Sequence, residues 1–339
     1  MRSRIKTFAT LLCAGSMCTS VLWAQKSSLE DAQNTDASKQ TVVNSNLPKV
    51  YMTTDISPEG LMKVYKALGR DLKGKVAVKI STGEPGGSNY LSPDLIKELV
   101  QSLNGTIVEC NTAYHGKRDS TLKSEQVAID HGFVAIAPVD IMDSSGSISL
   151  PFPKGKHIQE DFVGDHITRY KSFLILSHFK GHTMAGFGGA LKNMSIGIAS
   201  SEGKSWIHSV GTSKTDPFGG KRDQDGFLES MAEADGAVMN YLGDNVAYIN
   251  VMNKMSIDCD CSSNPTPPVM KDIGILASLD PVALDKACVD LVYASPDTAK
   301  SATLRQRIES RHGTHILNYA EQLGLGSQKY DLINIDAKQ

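Results

Sequence analysis

Hydrophobic and polar positions follow two periods along this chain. Short apolar or alternating runs at Val50–Thr53, Lys75–Ile80, Thr106–Glu109, Ser172–Ser177, Val246–Met252, Ile273–Ala277 and Tyr330–Ile335 have the length and residue types of strands. Between them lie longer segments with helix-start signals. Ser57-Pro58-Glu59 opens a helix to Leu68, Ser92-Pro93-Asp94 caps LIKELVQSL, and Asp280-Pro281 opens VALDKACVDLVY. In each, a side-chain oxygen precedes a proline whose missing N–H costs the first turn nothing. A helix also reaches about His131, Phe227–Tyr241 is amphipathic, and 303–323 reads as a helical pair. Strand, helix, strand at these lengths predicts βαβ units and a largely parallel sheet. The expected fold is α/β and two-lobed, with largely parallel sheets flanked by helices. One lobe spans 49–165 and a second, 166–339, carries the main site. Residues 138–164, irregular apart from short strands at Val139–Met142 and Ile148–Leu150, form the connecting arm.

The first 48 residues do not share this pattern. A basic start, Met1–Lys6, a mostly apolar stretch, Thr7–Trp23, and a cleavage point at Ala24-Gln25 predict a signal peptide over 1–24. The apolar run is short for a bilayer span, so no transmembrane domain is expected after cleavage. The polar stretch 25–48 reads as a disordered lead-in. The protein is therefore read as exported, to the periplasm. Hydrophobic residues make up 40% of the chain, enough for a real core, and a formal net charge of −2 gives no general pull towards nucleic acid.

Candidate chemistry gathers after the apolar run Ser172–Ser177. There His178, Lys180 and His182 are followed by Gly186, Gly188 and Gly189, and Ala190–Met194 starts a helix. Titratable side chains at the carboxyl end of a strand, beside glycines that allow close backbone approach, mark a ligand site in open α/β sheets. Lys192, near the amino end of that helix, adds positive charge for an anion. The plainer alternative is that the glycines turn the chain and the histidines are surface groups. The strand exit Asn111–Arg118 offers His115 as a second proton-transfer group opposite His182, and Arg118 as a bidentate carboxylate partner. Gly86-Gly87-Ser88-Asn89 lacks the lysine and hydroxyl of a P-loop and is a weak phosphate signal.

Outside the leader the cysteines are Cys110, Cys259, Cys261 and Cys288. Cys259 and Cys261 stand too close in sequence for an easy mutual disulfide, but suit two thiolates on one metal ion or iron–sulfur cluster. Cys288, on an apolar helical face, reads as a small buried hydrophobe. The chain has no C-x-x-C-x-x-C run of its own.

Two resemblances attach to these residues. Lys180-Gly181-His182, then Gly188-Gly189 and Lys192-Asn193, together with Asp258-Cys259-Asp260-Cys261 and Asp272 to Ala283, resemble the signature of domain-of-unknown-function family 362 from about residue 49 onward. More distantly, the segment His182–Lys192 resembles one in the nickel-pincer lactate racemases. That resemblance covers about 35 residues, and the rest of the pattern is not evident. It implies His182 as acid/base, Lys192 as anchor of an anion or nickel-bearing cofactor, with Gly188 and Gly189 beside it, and His208 as a metal ligand.

Three functions follow as expectations. The first is a metal- or cofactor-dependent enzyme of racemase or epimerase type, acting on a small carboxylate through His182 and His115, with Lys180, Lys192 or Arg118 holding the anion and nickel or zinc as candidate metals. The second is an iron–sulfur or metal-binding electron-transfer protein built on Cys259 and Cys261. The third is a non-catalytic periplasmic small-anion binding protein.

Overall fold

The computed structural model describes residues 46–220 and 222–336, so the signal peptide expected at 1–24 and residues 25–45 of the expected lead-in lie outside the described residues. β1 (Lys49–Thr53) leads to α1 (Pro58–Ala67), β2 (Val76–Lys79), α2 (Pro93–Ser102), β3 (Thr106–Glu109), α3 (Thr121–Asp130) and β4 (Val139–Ile141). A hairpin of β5 (Ser147–Pro151) and β6 (Glu160–Gly164) precedes β7 (Ser172–His178). A second small hairpin, β8 (Lys180–His182) and β9 (Gly186–Gly188), leads to α4 (Ala190–Ile198), α5 (Ser201–His208) and α6 (Gln224–Leu242). β10 (Val246–Met252), β11 (Gly274–Ser278), α7 (Pro281–Tyr293), α8 (Thr298–Ser310), α9 (His315–Gln322) and β12 (Asp331–Asn334) follow. The caps act as their residue types dictate. Ser57 accepts from Gly60 N–H at 3.0 Å, Ser92 from Leu95 N–H at 3.3 Å and Asp280 from Ala283 N–H at 2.9 Å.

Eight strands form one sheet in the order β12-β1-β11-β10-β7-β2-β3-β4. β7 lies parallel between β10 and β2, β2, β3 and β4 are parallel in turn, and β12 is parallel to β1. β11 runs antiparallel to both neighbours. The segment after β10 carries no crossover helix, so the chain turns back at the end where β10 left the sheet. The stretches 49–165 and 166–339, expected as separate lobes, both feed this sheet and belong to one compact unit. Their junction separates no sheets because β7 of the second stretch pairs directly with β2 of the first.

Both faces of the sheet are covered, which is why β7 is buried along its whole length. Leu174 and Leu176 point into the core shared with Leu61 of α1 and Leu99 of α2. Phe173 and Ile175 point into the core with Met194 of α4 and Val238 of α6. Parallel strands deliver their carboxyl ends to one edge, so the exits of β2, β3 and β7 converge there. Of the arm expected at 138–164, the start joins the main sheet as β4 and the rest folds as the β5–β6 hairpin, which packs on α5 and α6. No helix among the described residues is long and apolar enough to cross a membrane.

Candidate active site

The converging strand exits wall a cavity of about 290 Å³, whose lining includes Lys79, Lys180, His182, Lys192, Lys204 and His208. Its positive charge is partly neutralised from within. Lys79 Nζ, at the end of β2, lies 2.8 Å from Glu109 at the end of β3. Arg118 lies 2.7 Å from Glu84 and 3.5 Å from Glu109. Burial works to raise the Glu109 pKa, but Lys79 and Arg118 together bring it below the ordinary value. The Lys79 Nζ also donates to Asn193 Oδ1 at 3.1 Å, and Gly197 leaves room for it, since a Cβ there would fall 2.6 Å from Lys79 Cε. Arg118, expected as the carboxylate partner of a ligand, is thus already committed to two internal carboxylates.

At the end of β7 a second network closes. Asp260 Oδ1 lies 2.8 Å from His178 Nδ1, and Lys180 Nζ lies 2.8 Å from Asp260 Oδ2. His178 Nε2 faces the Asn253 carbonyl at 2.6 Å, so both ring nitrogens meet oxygen acceptors. Burial would raise the Asp260 pKa, but His178 and Lys180 hold its carboxyl well below the carboxylate range. Lys180 faces the cavity as expected, with its charge answered by Asp260.

Two lysines are left without a carboxylate. Lys204, 8% exposed, donates only to the Ala199 carbonyl, at 2.5 Å. Lys192 has no hydrogen-bond or ion-pair partner among the described residues. Burial, then the charges of Lys180 and Lys79, push its pKa down to about 7. Buried cations without counterions are costly unless a ligand supplies the negative charge.

The two cavity histidines are fixed in opposite tautomers. His182 Nδ1 accepts the Met184 N–H at 3.2 Å and the Ala185 N–H at 2.9 Å, which leaves a neutral ring with its hydrogen on Nε2. Burial, followed by the charge of Lys192, keeps its pKa well below the imidazole value. His208 Nδ1 donates to the Lys204 carbonyl at 2.7 Å, so its Nε2 carries the lone pair. Burial pushes its pKa down to about 4, against the carbonyl hydrogen bond and with help from Lys192 and Lys204. One imidazole is therefore a donor and the other an acceptor. His115, expected to oppose His182, is instead fully exposed on its loop, 3.7 Å from Asp119, and is absent from the cavity wall. The loop turns it outward while Tyr114 and Arg118 turn inward.

The glycines at the start of α4 serve an internal partner. Asp285 Oδ1 accepts the Ala190 N–H at 2.7 Å and Oδ2 the Leu191 N–H at 3.0 Å, so the amino end of α4 already holds a carboxylate. Gly188 and Gly189 border the cavity, but the helix start they lead into already holds Asp285 in the place expected for a ligand anion.

Cys259 and Cys261 lie on the cavity wall and are joined as a disulfide. The turn between them, closed by Ser262 N–H on the Cys259 carbonyl at 3.0 Å, brings their Cα atoms to 5.2 Å, within ordinary disulfide range, so the separation by one residue is no obstacle. The ligand atoms of His182, Cys259 and Cys261 lie within 4.8 Å of one another, a spacing that could hold a metal ion. The observed states oppose one, since a closed disulfide offers no thiolate and His182 turns N–H, not a lone pair, to the cavity. His208 has the tautomer of a metal ligand but stands outside this cluster.

His178, noted at the strand end, takes its place in the site beside Asp260, and Lys79, Glu109 and Lys204 complete it without having been singled out. A charged residue ending a buried parallel strand, as Lys79 and Glu109 do, is a signal the sequence carried. Lys204, inside α5, had none.

A mixed α/β protein with a cation-lined cavity at the carboxyl ends of its central strands is the class this describes. The chain belongs to the family described as Domain of unknown function (DUF362), which matches residues 76–290. No curated protein matches it. Among solved structures it is similar to the lactate racemase apoprotein from Thermoanaerobacterium thermosaccharolyticum, at 18% identity over 59% of this chain and 50% of that one, with a TM-score of 0.36. It is also similar to a protein from Thermotoga maritima, at 13% identity over 68% of this chain and 57% of that one, with a TM-score of 0.40. The chain thus spans between 50% and 57% of the length of these two, a likeness that says nothing about chemistry.

Proposed function

We propose that the protein binds a small carboxylate in this cavity and acts on it as an isomerase of racemase or epimerase type, with His208 accepting the proton and returning one after exchange with solvent, while the Nε2 hydrogen of His182 donates a hydrogen bond to the ligand. The observation that carries the reading is the pair Lys192 and Lys204, two buried cations lining one cavity without a carboxylate of their own among the described residues. An anionic ligand relieves that charge, and neutral imidazoles of opposite polarity on the same wall suit proton transfer at an adjacent carbon. His208 takes the proton-transfer role expected of His182 and His115. The leader at 1–24 would carry the chain to the periplasm, an oxidising compartment compatible with the Cys259–Cys261 disulfide.

Calorimetric titration of the mature chain with mono- and dicarboxylates and inorganic phosphate tests the binding step. Deuterium wash-in at the carbon next to the carboxylate, followed by NMR in D2O, tests the chemistry. Binding without wash-in leaves a non-catalytic anion-binding protein, and no binding removes the proposal. A metal or iron–sulfur reading rests on the His182, Cys259 and Cys261 spacing alone. Two sulfurs fall short of the four ligands such clusters use, and metal analysis of reduced protein decides it.

A further inference from the structure

We propose that the Cys259–Cys261 disulfide is a thiol–disulfide exchange site, opened by a dithiol reductant that attacks Cys261. Stabilisation does not account for this bond. A disulfide strengthens a fold by closing a long loop, and this ring encloses Asp260 alone, so it removes little freedom from the unfolded chain. The turn is held by other means: Asp260 is fixed by His178 and Lys180, at 2.8 Å each, and Ser262 N–H closes the backbone. The two sulfurs therefore stay close when the bond between them opens.

The pair is asymmetric in the way exchange requires. Cys259 is only 5% exposed, whereas Cys261 is more open. The Cys261 N–H donates to Cys259 Sγ at 3.3 Å, and a ring nitrogen of His182 stands within 4.8 Å of both sulfurs. With Nδ1 held by two backbone N–H groups, it is the Nε2 hydrogen of His182 that remains to donate to a thiolate. A thiolate sulfur of the reductant forms a bond to Cys261 Sγ, the Cys259–Cys261 bond breaks, and its electron pair leaves on Cys259. The second thiol of the reductant, its proton lost to solvent, then displaces Cys261. The reductant ends as its own disulfide, and the protein has gained two electrons and, from solvent, the protons its thiols hold. Cys110 and Cys288 are both buried, with their thiol pKa values raised by burial, so they stand as internal controls.

The oxidised full chain is treated with dithiothreitol, quenched with N-ethylmaleimide and mapped by peptide mass spectrometry, with circular dichroism to confirm the fold. Cys259 and Cys261 are expected to become labelled together while Cys110 and Cys288 stay unlabelled, and glutathione disulfide should restore the bond. Cys259→Ser, which keeps Cys261, should form a glutathione adduct at least tenfold faster than Cys261→Ser. A pair that remains unlabelled until the fold is lost, or equal adduct rates in the two variants, overturns the proposal. If neither variant folds, wild-type labelling alone decides. Carboxylate titration of the same samples keeps the two proposals apart, since exchange can fail while anion binding stands, and the reverse.

Discussion

Asp285 sits where a side chain at Gly189 would have to go: a Cβ built there falls 2.3 Å from Asp285 Oδ1. The same carboxylate caps α4 through the Ala190 and Leu191 N–H groups and also accepts from Asn250 Nδ2 at 2.7 Å. The glycine is therefore required by the fold. Gly189→Ala should destabilise the protein by about 1–3 kcal/mol, the usual cost of overpacking. Asp285→Ala in the same chain should remove the clash, so the double variant loses less than the two single losses added together. Urea unfolding of all four proteins checks this, and strictly additive losses would count against the contact.

Lys192 should behave oppositely. Its folded pKa of about 7 lies below the 10.5 of an ordinary lysine, so the folded state disfavours its charge at every pH below about 7. That cost is relieved as pH rises from about 7 towards 10.5. Lys192→Met should accordingly stabilise the protein at pH 6, by on the order of 1 kcal/mol, while weakening carboxylate binding at least tenfold. In the wild type, affinity should fall as pH rises through about 7 and the ammonium loses its proton. Titrations at pH 6 and pH 8.5 measure it, and a flat affinity would exclude Lys192 from the binding charge.

The distance between expectation and structure is instructive at particular residues. Ser172–Ser177 announced the central strand because a parallel strand covered on both faces has no polar position to spare, and β7 continues only one residue further, to His178. Ser57, Ser92 and Asp280 announced their helices because capping is local chemistry. The single sheet was not legible, since the pairing of β7 with β2 joins residues far apart in sequence. Within the site, His182, Lys180 and Lys192 were marked by a strand exit and its glycines, whereas His208, on α5, came only from the family resemblance and as a metal ligand. The orientation of His115 and the partners of Arg118 and Gly189 depend on Asp119, Glu84 and Asp285, contacts that no local pattern encodes.

His208 is separable from the fold by an isostere. An asparagine amide can reproduce the Nδ1 hydrogen bond to the Lys204 carbonyl, at 2.7 Å in the structure, but has nothing in the place of Nε2. His208→Asn should keep carboxylate affinity within about threefold and lower deuterium wash-in by about 10²–10⁴, the range of general-base contributions. Wild-type wash-in should fall below about pH 4 as His208 is protonated, and decline above about pH 7 as Lys192 discharges. A pH profile of the variant that retains the acidic limb would remove His208 from the chemistry.

Asp161 provides a test independent of the cavity's ligand. It is wholly buried on β6, and neither of its oxygens accepts a well-formed hydrogen bond among the described residues, the Phe162 N–H being only a weak neighbour. Burial raises its pKa to about 7, from 3.8 for an ordinary aspartate, with the Phe162 N–H and Lys204 pulling the other way. Below about pH 4 the group is protonated folded and unfolded alike, and the pH dependence vanishes. Between about 4 and about 7 the folded protein holds a proton that the unfolded chain releases, so stability falls as pH rises, by at most about 1.4 kcal/mol per pH unit. Above about 7 no further loss follows. Asp161→Asn cannot ionise, so its stability relative to wild type should improve by on the order of 2 kcal/mol between pH 4.5 and pH 8. The comparison uses the change with pH rather than either absolute value, because the amide brings its own unsatisfied hydrogens. Urea unfolding at the two pH values measures that change, and a difference that stays constant would mean that Asp161 is ionised throughout.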